Sequence, residues 1–91
     1  MSFDRDEALA KIGRRVRVHN AVDDHGNRYF SKDVPDGTTG QVIHANLVHR
    51  FTHPEYDPAD FYDVVIEWAA LDRRIDVYDE REYEWCITEL E

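Results

Sequence analysis

A single cysteine, Cys86, in a chain of 91 residues excludes an internal disulfide and leaves too few thiolates for the common structural zinc sites. A reducing, cytoplasmic setting is therefore expected. Lysine is scarce, with two residues, and lysine and arginine together number 11 against 20 aspartates and glutamates. The net charge of −9 repels phosphate backbones and acidic lipid surfaces, which argues against nucleic acid and membranes as partners. Because the acids are dispersed along the chain, they read as an ordinary solvated face rather than an imitation of DNA. No apolar run approaches the roughly 18 residues needed to cross a bilayer. The start, Met1-Ser2-Phe3-Asp4-Arg5, lacks the basic flank and apolar stretch of an export signal. Repeats, low-complexity segments and interdomain linkers are also missing.

What is present suits a small globular fold. A length of 91 residues predicts one domain spanning 1–91. Such a chain buries about 60–65 % of its unfolded surface, so any ligand site should be a surface groove rather than an internal cavity. A hydrophobic content of 42 %, with two tryptophans, five tyrosines and four phenylalanines, exceeds what a disordered chain of this charge carries.

The periodicity predicts mostly strands. Residues 3–12 read as a short helix: Asp4 and Glu7 have capping-box spacing, Ala8, Leu9 and Ile12 share a face, and Gly13 can end it. Val16 and Val18 alternate with Arg15, Arg17 and His19 as in a half-buried strand. Residues 20–37 form a polar excursion with turn signals at Asp24-His25-Gly26-Asn27 and Pro35-Asp36-Gly37, interrupted by Tyr29 and Phe30. At least one of those two rings is expected to fold back onto the core. A second strand covers 38–45, where Gly40 points to a bend or a close backbone approach. After a loop at 46–60 containing Pro54 and Pro58, residues 61–68 form the strongest strand, with Tyr62, Val64, Ile66 and Trp68 inward and Asp63 and Glu67 outward. Residues 74–78 should pair with it as a hairpin, burying Ile75 and Val77 and exposing Asp76. Asp79 and Glu82 repeat the capping-box spacing, predicting one helical turn at 80–84 before a closing strand from Trp85 to Leu90. The expected architecture is mainly β: five short strands in a small barrel over 13–90 that closes its own edges, preceded by a helix within 1–12.

Gly13-Arg14-Arg15-Val16-Arg17-Val18, Gly37-Thr38-Thr39-Gly40-Gln41-Val42, Val64-Val65-Ile66-Glu67-Trp68 and Ile87-Thr88-Glu89-Leu90 together resemble the SH3-like barrel superfamily over about residues 13–90. Within it the chain looks most like small accessory chains such as the variable chain of ferredoxin-thioredoxin reductase. That resemblance implies a barrel that performs no chemistry and supports a protein partner such as a catalytic subunit. Nucleic-acid-binding branches carry a basic surface, and this chain departs from that pattern. Signalling SH3 domains pair loop acids with aromatics; Asp23, Asp24, Tyr29 and Phe30 match this only in part, and no peptide site is carried over.

Several residue groups invite a chemical reading. His44, His49 and His53, with four and three residues between them, have side chains suited to Zn, Ni or Cu, with Glu55 or Asp57 as a further ligand; solvated loop histidines are the alternative. Ser2, Ser31 and Cys86 lack a nucleophile signature, and the acid pairs Asp23-Asp24 and Glu80-Glu82-Glu84 read as exposed rather than as acid and base pushed apart by burial. Gly37-Thr38-Thr39-Gly40 leads into a strand instead of opening a helix, so it is no phosphate cradle. Tyr78, Tyr83 and Trp85 either cap the core or, with Tyr29 and Phe30, form a partner-binding surface. The expected function is a non-catalytic interaction or accessory domain without a cofactor, and the alternative is a metal-responsive binder using the loop histidines.

Overall fold

The computed structural model describes residues 3–30, 32–47 and 62–90. Its elements are helix α1 (Arg5–Lys11), strands β1 (Arg15–Val18), β2 (Thr39–Leu47), β3 (Tyr62–Trp68) and β4 (Arg74–Tyr78), helix α2 (Glu80–Cys86) and strand β5 (Ile87–Leu90), with a 3-10 turn at Ala69–Leu71. The fold is mainly β. Its five strands form one antiparallel sheet in the order β4-β3-β2-β1-β5. The expected closure into a barrel is not observed: among the described residues β4 and β5 do not pair, and the sheet stays open. Helix α2, which links these two edge strands, packs on both.

Each element has a local cause. Asp4 caps α1 by accepting from the Glu7 amide at 2.8 Å, and Gly13 leaves the helix with φ +91°. Only Ala8 of the predicted apolar face is buried; Leu9 and Ile12 stay exposed. Phe3 anchors the segment instead, exchanging backbone hydrogen bonds of 2.8 and 2.9 Å with Tyr62 at the start of β3. A bulge between Val42 and His44 on β2 interrupts the alternation. This lets Val42 and Ala45, three positions apart, both face inward. The core gathers Val16, Val18, Val34, Val42, Val64, Ile66 and Trp68 with Phe3, Ala8, Tyr78, Tyr83, Cys86 and Ile87 into one cluster.

At Gly40 the expected close approach is found. A Cβ there would lie 2.5 Å from Cε3 of Trp68 and 2.7 Å from the Glu67 carbonyl oxygen. Only a residue without a side chain lets β2 pass over the buried indole.

The inward face of β4 is the reverse of the expected one. Arg74, Asp76 and Tyr78 lie opposite Trp68, Ile66 and Val64, and directly paired residues share a face. Ile75 and Val77 therefore point outward, 57 % and 41 % exposed. The reason is the Trp68 indole: its buried N–H requires an acceptor, and Asp76 Oδ2 accepts from Nε1 at 2.8 Å. Arg74 holds the same carboxylate through Nε at 3.0 Å and Nη2 at 3.1 Å. Tyr78 completes the layer edge-on to Trp68, with 6.2 Å between ring centroids. On β3, Val65 and Asp63 are buried as well, although Asp63 was expected outside.

The closing strand is also shorter than predicted. Trp85 and Cys86 belong to α2, whose capping box is complete: Asp79 accepts from the Glu82 amide at 2.8 Å and Glu82 accepts from the Asp79 amide at 3.2 Å. Helical spacing then buries Tyr83 and Cys86 together, a pairing that strand spacing does not provide.

Two buried tyrosines differ in their hydroxyls. Tyr78 Oη is buried without a hydrogen-bond partner among the described residues, whereas Tyr83 Oη donates to Glu89 Oε2 at 3.1 Å. Tyr78→Phe should therefore leave stability unchanged or raise it by up to about 1 kcal/mol, while Tyr83→Phe should lower it by roughly 0.5–1.5 kcal/mol, both read from denaturant midpoints. Gly40→Ala, by overpacking the Trp68 ring, should cost about 1–3 kcal/mol in the same assay.

Candidate partner-binding surface

The polar excursion between β1 and β2 is held at its neck and at its tip. At the neck, Asp36 Oδ1 accepts from the Asn20 amide at 2.8 Å and from Asn20 Nδ2 at 2.6 Å, and Nδ2 also donates to the Val34 carbonyl at 2.7 Å. Val34 is fully buried and fastens the returning limb to the core. At the tip, Asp23 Oδ1 accepts from the amides of His25 and Asn27 at 2.8 and 2.9 Å, an Asx turn completed by Gly26 at φ +81°. Val22 and Arg28 then bridge, and the Tyr29 amide donates to the Ala21 carbonyl at 3.0 Å. These bonds bring Tyr29 and Phe30 out of the turn in a defined place.

That place is beside α2. Lys32 pairs with Glu82 on the helix, and its Nζ lies 4.8 Å from the centroid of the Tyr78 ring. Farther along the loop, Asp33 pairs with Arg74 of β4. With Tyr83 and Cys86 turned to the core, α2 presents Arg81, Glu84 and Trp85 outward. Trp85 meets Tyr29 edge-on at 5.3 Å between centroids with planes at 87°, and Phe30 at 5.8 Å and 70°. Arg81 lies over both Trp85 and Phe30, its Cζ 4.8 Å and 5.8 Å from the ring centroids. Tyr29 remains 54 % exposed and Trp85 40 %, whereas Phe30 packs partly against the core.

Of the five predicted surface aromatics, Tyr29, Phe30 and Trp85 thus come together. Tyr78 and Tyr83 are core residues, 1 % and 4 % exposed, and neither offers its ring to a partner. Burial, the largest influence, pushes both phenols well above the usual tyrosine range. The sequence reading missed Arg81, Lys32 and Glu82. The signal for Arg81 was its position four residues before Trp85, which carries meaning only once both are placed on one helix.

Among the described residues the other candidates do not assemble a reactive centre. His44 is exposed on β2, while His49, His53, Glu55 and Asp57 lie outside the described residues, as do Ser2 and Ser31. Among the described residues no group of three or more His, Cys, Asp or Glu side chains is arranged to hold a metal. Cys86 is buried, and burial raises its thiol above the usual range, away from a thiolate. On the outer sheet face Arg15, Gln41 and Glu67 line an open depression next to Gly40. No described helix is long and apolar enough to cross a membrane.

Three loop carboxylates are held below the ordinary aspartate value of 3.8: Asp23 by the Asn27 amide, Asp36 by the Asn20 amide and Asp33 by the Arg74 side chain. Folded-state values depressed below the unfolded ones mean that their stabilisation is complete above pH 3.8 and fades as pH falls through the folded values. Carboxylate titration by NMR should give midpoints below 3.8 for all three, with the His25 and Asn27 amides, which donate to Asp23 Oδ1, losing protection over the same range.

Compared with protein-family models, curated proteins and solved structures, the chain has no match.

Proposed function

We propose that this chain is a non-catalytic interaction or accessory domain that binds a protein partner through Tyr29, Phe30 and Trp85. The observation that carries this reading is the convergence of three rings, from two segments distant in sequence, on a surface where two of them stay substantially exposed. Large aromatics supply most of the energy in protein interfaces, and those on a held backbone lose little freedom on binding. The capping box under Trp85 and the Asx turn ahead of Tyr29 provide such a backbone. A net charge of −9 favours a neutral or basic partner surface. An accessory role alongside a catalytic subunit is the form of this function that the SH3-like resemblance implies. The strand order supports that architecture: β2, β3 and β4 follow as a meander and β5 returns beside β1.

Affinity recovery from the source cell, repeated with Tyr29→Ala and with Trp85→Ala, tests the surface. A partner held through these rings should lose about 2 kcal/mol or more of binding per truncation, roughly thirty-fold. Circular dichroism of both variants should match the parent. Recovery unchanged in both variants would remove the surface from consideration.

A further inference from the structure

Arg81 is the one cation in a helix and cap that also hold Asp79, Glu80, Glu82 and Glu84. It is exposed, and its guanidinium forms no ion pair among the described residues; its contacts are with the faces of Trp85 and Phe30. Lys32, by contrast, is tied to Glu82 and packed over Tyr78, so it is committed to the fold. The two rings thus accept a cation in this geometry, and among the described residues no ion pair fastens the cation they hold. A Trp face is the strongest of the aromatic cation acceptors, and Tyr29, standing perpendicular at its edge, adds a second wall.

We infer that Tyr29, Phe30 and Trp85 form a cation-binding surface from which Arg81 is displaced by an arginine side chain of a basic partner segment. This rests on the interaction reading and names the chemistry of its partner. Two features select a basic occupant. The chain carries nine more acids than basic residues, so a basic segment is drawn toward it over several ångströms of solution. The planar guanidinium already seated on the rings shows the shape of group that fits them. Within this exchange Arg81 is a resident competitor: it shields the rings when no partner is bound and weakens any cation that must replace it.

The test is a titration of the full chain with a fluorescent peptide of alternating glycine and arginine, and with the same peptide carrying citrulline, the uncharged isostere. Arg81→Ala should bind the arginine peptide at least three-fold more tightly than Arg17→Ala, a control on β1 that changes the net charge equally. Trp85→Ala and Tyr29→Ala should each bind it at least three-fold more weakly than the parent, and the citrulline peptide should show no binding. Equal affinities for Arg81→Ala and Arg17→Ala would overturn the exchange and reduce the interaction to overall charge; so would parent-like binding by Trp85→Ala and Tyr29→Ala. Loss of the natural partner by Trp85→Ala without any gain in Arg81→Ala would retain the surface and reject the cation exchange.

Discussion

The buried indole of Trp68 is the constraint on which the remaining geometry rests. It lies at the end of β3 with no exposure, so its N–H must find an acceptor inside the protein, and Asp76 on β4 provides it. That single bond sets which face of β4 turns inward, because a slip by one residue would carry Asp76 to solvent and leave the indole unpaired. The ring also dictates its neighbour across the sheet, since only glycine at position 40 leaves space for it. Tyr78 then follows Asp76 onto the core face and packs edge-on against the same ring.

With Tyr78 inward, the chain leaves β4 and starts α2 immediately at the Asp79 cap. The helix occupies the interval between the two edge strands, so the sheet does not need strand pairing there to cover its core. The returning limb of the β1–β2 excursion contributes to the same cover: Val34 enters the core, Lys32 reaches Glu82, and Asp33 reaches Arg74. The residue that orients Asp76 therefore also fastens the loop. Core geometry and loop position are two ends of one connected set of charges.

The aromatic surface is a by-product of that arrangement. Tyr29 and Trp85 are 56 positions apart in sequence and have no local reason to meet. They do so because the loop is pinned at Asn20, Asp23 and Asp36 while α2 is pinned by its cap and its buried Tyr83 and Cys86. Rings supported in this way keep their orientation, unlike aromatics left on a loose loop. Arg81 shares the surface, and no carboxylate among the described residues pairs with it.

Much of this was legible in the residues themselves. Alternation identified β1 and β3 and their inward valines, the capping-box spacings marked the starts of both helices, and Gly40 signalled a close approach. Period-two patterning carries that information because it follows directly from the pleat. Tyr29, Phe30 and Trp85 were likewise recognisable as candidates, though not as neighbours. The failures share a cause. Ile75 and Val77 look like inward residues until a buried donor on another strand requires Asp76 in their place; Trp85 and Cys86 look like strand until a complete cap upstream carries the helix through them. Sequence by itself determined the number of strands, their succession along the chain and the mainly β class, because those depend on local periodicity and turn chemistry. Tertiary structure alone decided which face of β4 is core, whether the sheet closes, which tyrosines stay outside and what Arg81 touches, because each is settled by a partner far away in the chain.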